Sequence, residues 1–203
     1  MTSLYEPDPA ILALFHGFPT WGRVLEIATI PTVRLDDVPE TTGADLLKLD
    51  VQGAELMVLR HAEERLAGAL VIQAEVEFLP LYRDQPLFSD VEQFLRARGF
   101  IFHRFFPAVS RCFAPMLVDN DIYAGLSQTV WADAIFVRGL LDTGALTNRE
   151  LLASASILHD CYGSVDIVLR LLLAHDKRTG GSLGMIYLDG LRASQIATQA
   201  CAA

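Results

Sequence analysis

Residues 44–68 read "ADLLKLDVQGAELMVLRHAEERLAG". A compact apolar run, broken once by Lys48, ends in Asp50, and Gln52 and Gly53 follow before a helical pattern begins. Leu56, Leu59, Ala62 and Leu66 then share one side, Arg60, Glu63 and Glu64 take the other, and Gly68 suits the position just past a helix. The stretch predicts a buried strand over 44–50 and a helix over 54–67, joined by a turn. In open parallel sheets the ligand crevice lies outside the carboxyl ends of the strands. Asp50, Gln52 and Glu55 are therefore the first polar groups to consider as a site, with Gly53 allowing close backbone approach.

Working outward, "ALVIQAEVEF" (69–78) predicts a second strand. An S-x-x-E capping box at Ser89–Glu92 opens a helix that turns Val91, Phe94 and Leu95 inward and stops at Gly99. Further strands are expected at 100–106 and 131–138. No helix separates those two, so they should pair antiparallel at one edge. Upstream, 32–38 alternates and predicts a short strand ending at Asp36, whereas 1–31 is irregular, with only 10–15 briefly helical. Strands alternating with helices imply an α/β fold with a mostly parallel sheet and a reversed edge strand. From residue 140 the pattern is purely helical. A T-x-x-E box at Thr147–Glu150 opens a helix ending at Gly163, a second helix spans 165–175, "KRTGG" makes a turn, and a last helix covers 183–193. The expected organisation is an α/β domain over 1–139 and a C-terminal helical extension over 140–203.

The chain has 203 residues, 52% of them hydrophobic, and a formal net charge of −9. An acidic chain without a Lys/Arg run repels phosphates, which argues against nucleic-acid binding. No apolar stretch is long and uncharged enough to span a bilayer, and the N-terminus lacks the pattern of a secretory leader. Cys112, Cys161 and Cys201 are few, odd in number and widely spaced, as expected of reduced thiols in a cytoplasmic protein. The five histidines form no HExxH pattern and Asp119–Asp121 lacks calcium-loop spacing, so no metal site is expected.

The second strand is the most informative for chemistry. Ile72, Ala74, Val76 and Phe78 alternate with Gln73, Glu75 and Glu77, although a strand inside a doubly wound sheet should be apolar on both faces. Glu75 and Glu77 point the same way, roughly 6.5 Å apart. Two carboxylates that close shift each other's pKa and often serve a site; an edge strand with one wet face would give the same pattern. The loop "FLPLYRDQPLF" (78–88) follows, so Tyr82 and Gln85 are candidates for the substrate rim. Glu55 and Asp50 also have structural explanations, as a partner of the helix dipole and as a cap of freed backbone N–H groups. There is no G-x-G-x-x-G, P-loop or G-x-S-x-G motif.

Over residues 32–100 the sequence resembles the FkbM-type methyltransferases, which use S-adenosylmethionine. The resemblance rests on "VRLDDV", on "LLKLDVQGAE", on the strand ending "EVEF" and on the Tyr/Gln-bearing loop. It implies a Rossmann-like methyltransferase sheet and transfer of a methyl group to a hydroxyl of a sugar or other secondary metabolite. By the same resemblance Asp36, Asp50, Gln52 and Gly53 would contact the cofactor, Glu55, Tyr82 and Gln85 the acceptor, and Asp50, Glu75 or Glu77 would be the catalytic carboxylate. The family's D-x-G-A-N-x-G loop, which cradles the methionine part of the cofactor, is not among residues 1–31. About three strands of the family's sheet are expected to come from upstream sequence, a partner chain or a second copy; otherwise the chain is a non-catalytic relative acting as an interaction module.

Overall fold

The computed structural model describes residues 2–201, with side chains through residue 194, so the Cys201 thiol lies outside the described residues. The chain divides into two compact units, Met1–Arg138 and Gly139–Ala203.

The first unit is built on four strands: β1 (Leu46–Leu49), β2 (Val71–Glu77), β3 (Phe100–Arg111) and β4 (Gln128–Arg138). Their spatial order is β1-β2-β4-β3, with β1 and β2 parallel and β4 antiparallel to both of its neighbours. This mixed sheet is that of a partial Rossmann-like methyltransferase fold. The reversed strand, expected at the edge, is set one place in, and β3 is the margin. Burial agrees with this place: Ala132, Ala134, Ile135, Phe136 and Val137 are fully buried, as suits an interior strand, whereas most of β3 is partly exposed. At the opposite margin β1 pairs only with β2 among the described residues.

One face of this sheet carries the main core. Leu47, Leu49, Ile72, Ala74, Val76 and Phe136 pack there against Leu56, Leu59, Val91 and Leu95 of the helices α3 (Glu55–Arg60) and α5 (Phe88–Arg96). Phe78, Phe88, Phe102 and Phe105 extend this core with rings 4.6–5.8 Å apart, in tilted and edge-on pairs. Two short helices, α1 (Pro9–Leu12) and α2 (Phe18–Trp21), precede the sheet.

Three further sequence expectations change in this unit. Residues 32–38 are not a strand: Leu35–Asp37 is a single 3-10 turn, clamped by an Arg34–Asp37 ion pair at 2.9 Å. The helix expected over 54–67 is two helices, because α4 (Glu63–Gly68) restarts after His61–Ala62. The Asp36 carboxylate accepts the N–H groups of Glu64 (3.1 Å) and Arg65 (3.0 Å), capping that second start from outside the helix. Third, α5 opens at Leu87, whose N–H bonds Asp90 at 2.8 Å, and not at Ser89–Glu92; Glu92 instead pairs with Arg96, one turn on, at 2.8 Å.

The second unit contains α6 (Asn148–Asp160), α7 (Val165–Thr179) and α8 (Leu183–Cys201). The Thr147–Glu150 capping box is present, with Glu150 N–H to Thr147 Oγ1 at 3.2 Å and Thr147 N–H to Glu150 at 2.7 Å. α7 runs four residues beyond its expected end, to a left-handed Gly180, and Asp176 then caps α8 through the N–H groups of Leu183 (3.0 Å) and Gly184 (2.7 Å). No helix among the described residues is long and apolar enough to cross a membrane.

Candidate functional site

β2 lies between β1 and β4, so the wet-edge explanation of its alternation does not hold. Its polar face is matched across the sheet: Lys48 lies beside Gln73, Glu75 opposite Asp133, and Glu77 opposite Trp131. One face of the sheet is thus the core and the other presents two carboxylates at the carboxyl end of β2.

The turn after β1 is wound to aim side chains at this face. Gln52 and Gly53 both have positive φ, 55° and 96°. For Gln52 this conformation costs about 1–2 kcal/mol. At Gly53 the positive φ favours glycine, and a Cβ would also lie 2.8 Å from Gln85 Nε2. The Gln52 carbonyl is held by the Ser3 hydroxyl at 2.7 Å. Its Nε2 donates to Asp50 at 3.0 Å and to Glu75 at 2.8 Å, tying the turn to β2. Glu55 folds back under the turn and accepts the Val51 N–H at 2.7 Å.

The segment Glu6–Asp8 runs antiparallel to Leu81–Arg83, with Asp8 N–H to Leu81 O at 2.9 Å and Arg83 N–H to Glu6 O at 2.8 Å. That pairing lays α1 and α2 over the end of β2. Leu12, Phe15 and Phe18 pack there with Val130, Leu79, Leu81 and Trp131. Gly17, at φ 79°, opens α2; a Cβ on it would come within 2.7 Å of the Trp21 ring. Between this cover and the sheet lies a cavity of about 170 Å³. Its walls are Leu12, Phe18, Trp21, Leu81, Tyr82 and Trp131, and its polar groups are Gln52, Glu75 and Glu77.

Burial governs the electrostatics. Glu75 is pushed up to about 7, first by burial and then by the charges of Asp50, Glu55 and Asp133, with Lys48 opposing. Glu77, 4% exposed, is pushed up to about 8 by burial and by Glu55 and Glu75, against the facing Gln85 amide. Burial also raises Glu55 despite the bond from Val51, and raises Tyr82 to about 12. Lys48 is engaged by Asp50 at 3.5 Å and Asp133 at 4.0 Å. The pocket thus holds carboxyls that exchange a proton near neutral pH inside a largely apolar enclosure, the condition for general acid–base work.

Glu75, Glu77, Gln52 and Tyr82 line the cavity together. Asp50 stands half-exposed beside it and reaches it through Gln52. Glu55, Gly53 and Gln85 lie behind the wall: Glu55 braces the turn, and Gln85 packs on Gly53 while accepting the Tyr82 N–H at 3.1 Å. Asp36 is not brought to the pocket, since both of its oxygens cap α4. The residues that the sequence reading missed are Leu12, Phe18, Trp21 and Trp131. Phe15, Phe18 and Trp21 recur at three-residue spacing in "FHGFPTW", a signal obscured by Gly17 and Pro19.

Residues 6–102 match the family model of the Methyltransferase FkbM domain. The match takes in α1 and α2, the Asp50–Glu55 turn, β2 and the Tyr82–Gln85 loop, and so most of the cavity wall. No curated protein and no solved structure matches the chain.

Proposed function

We propose that this pocket receives the acceptor of an S-adenosylmethionine-dependent O-methyltransfer, the acceptor being a hydroxyl of a sugar or other secondary metabolite. The observation that carries the reading is the Glu75–Glu77 pair, Glu75 half-buried and Glu77 buried, at a strand's carboxyl end within the segment that matches the FkbM domain. The cofactor would supply an electrophilic methyl on a sulfonium, whose sulfur–methyl bond breaks to release the neutral thioether. Asp50, Gln52 and Gly53 suit only the reacting end of that molecule. The cavity, about 170 Å³, is smaller than the roughly 300–1,000 Å³ that encloses a whole ligand of that size. Among the described residues no glycine-rich loop offers a cradle for the remainder.

The chain's own residues would act as follows. Trp21, Phe18 and Trp131 stack on the acceptor and exclude water, which strengthens each polar contact inside. Glu75, titrating near 7, is ionised often enough at neutral pH to take the hydroxyl proton as the new oxygen–carbon bond forms. Gln52 holds the Glu75 carboxylate in place. The test is incubation of the chain with methyl-tritiated S-adenosylmethionine and a panel of sugars and polyols. Label in an ether product, lost in Glu75→Gln, is the expected result. No label in any product and no calorimetric heat with millimolar cofactor would sink the reading for this chain.

A second reading, an interaction module, draws on a different observation. Val24, Leu25, Ile27, Ile30 and Val33 form an exposed apolar strip, with Leu25 and Ile27 86% and 91% accessible, and β1 is a sheet margin. A second copy or a partner chain would cover them. Sedimentation of the wild type and of a Leu25→Lys/Ile27→Lys variant tests this; a wild type that is monomeric at all concentrations speaks against self-association.

A further inference from the structure

The charge of the pocket narrows the ligand beyond a neutral polyol. Glu75 and Glu77 line it, and Asp50, Glu55 and Asp133 add their fields. Two cations nearby are paired elsewhere, Lys48 with Asp50 and Asp133 and Arg83 with Glu6 at 3.6 Å, and Arg111, which donates to the Ser110 carbonyl at 2.8 Å, does not line the cavity. The same cavity is lined by the aromatic side chains of Phe18, Trp21, Tyr82 and Trp131. The Arg111 guanidinium sits 4.8 Å from the Trp131 ring centre, a cation–π contact that this indole already makes. Carboxylates and π-faces around one small enclosure attract organic cations from two sides, and a neutral ligand would leave the acids to be neutralised by protons alone.

We propose that the acceptor bound here is a hydroxyl-bearing organic cation, its ammonium group lodged between Glu77 and the faces of Trp21 and Trp131. The word acceptor rests on the methyl-transfer reading; the cation site itself does not. Glu77 is the deeper carboxylate and pairs with the ammonium, which leaves Glu75, beside Gln52, to serve the hydroxyl. Binding then displaces the proton that burial otherwise keeps on this pair, so the cation enters with proton release at neutral pH.

The experiment uses the full chain and two probe pairs of matched shape. Choline is compared with 3,3-dimethylbutan-1-ol, and S-adenosylmethionine with S-adenosylhomocysteine. Each is titrated calorimetrically at pH 7.5 in phosphate and in Tris, whose different ionisation heats count the protons released. The expected result is choline binding at least about tenfold tighter than its neutral isostere, with net proton release. The preference should shrink toward unity in Glu77→Gln and, as an independent check at the wall, in Trp21→Ala, both verified as folded by circular dichroism. Equal affinities for choline and 3,3-dimethylbutan-1-ol, or no binding of either, overturn the proposal. A charge preference confined to the sulfonium pair overturns it too, since the cation would then be the methyl donor. The methyl-transfer reading fails separately: choline preference with no cofactor binding and no label transfer removes that reading and leaves the cation site, whereas label transfer to neutral sugars without charge preference does the reverse.

Discussion

Gln52 Nε2 lies 2.8 Å from Glu75 and 3.0 Å from Asp50, so a single amide bridges two carboxylates across the parallel β1–β2 pair. The bond favours the ionised form of Glu75 against the burial that raises it to about 7. A hydrogen bond to a charged group is worth about 1.5–3 kcal/mol, and each pK unit is about 1.4 kcal/mol. Gln52→Ala should therefore raise the Glu75 pKa by about one to two units, read by carbon-13 titration of the glutamate carboxyls. An unmoved Glu75 would mean that the amide only positions the turn.

Stability should carry the signature of the same pair. Glu75 and Glu77 titrate near 7 and 8 in the folded chain and near the ordinary 4.3 when unfolded. The folded state therefore holds more protons, and unfolding free energy falls as pH rises. Their contribution is full below about 4.3, declines through the interval to 8, and is gone above it. Glu77→Gln cannot ionise and escapes this loss. At pH 9 it should be more stable than wild type by at least about 1.4 kcal/mol, the equivalent of one pK unit, with the advantage vanishing toward pH 5. Denaturant melts at pH 5, 7 and 9 check the sign.

Asp36 should behave in the opposite sense and for another reason. Burial pushes its carboxyl up, but the N–H groups of Glu64 and Arg65 hold it below the ordinary value. Its contribution is present above the ordinary aspartate range and is lost as pH falls through the folded value. Asp36→Ala removes the cap of α4 and should cost about 0.5–2 kcal/mol. Thermal melts at pH 7 and pH 3 test this: the deficit of the variant should be clear at pH 7 and small at pH 3. The tryptophan emission of the folded variant should match wild type, because Asp36 lies outside the cavity wall.

These residues also show what the sequence could and could not disclose. The alternation of Gln73, Glu75 and Glu77 was legible because a strand has period two, and any register that buries Ile72, Ala74 and Val76 puts all three on the other face. The role of Asp36 was not legible, because its partners are backbone N–H groups 28 and 29 residues away and backbone leaves no mark in composition. The break at His61–Ala62 was hidden for the same reason: the apolar stripe continues through it, and only the external cap ends one helix and starts the next. The place of β4 between β2 and β3 follows from long-range pairing, which local pattern does not encode. Trp21 and Phe18 were missed because residues 1–31 read as irregular, whereas Gly17 and Pro19 start the short helix carrying them.

The two tryptophans of the chain, Trp21 and Trp131, both line the cavity, which makes intrinsic fluorescence a local probe of that site. Trp131 stands opposite Glu77 in the β2–β4 register, whereas Trp21 comes from α2 and stacks on Tyr123 with ring centres 5.5 Å apart. A ligand entering the cavity should alter both emissions, and the single variants Trp21→Phe and Trp131→Phe separate them. Because Trp131 faces a carboxyl that ionises near 8, the emission that survives in Trp21→Phe should change between pH 6 and 9 without ligand, and this change should disappear in Trp21→Phe/Glu77→Gln. The emission of Trp131→Phe, which reports Trp21, should be flatter across the same interval. A pH-independent Trp131 signal would mean that Glu77 does not ionise in this range, and the proton exchange assigned to the pocket would then fall to Glu75 alone.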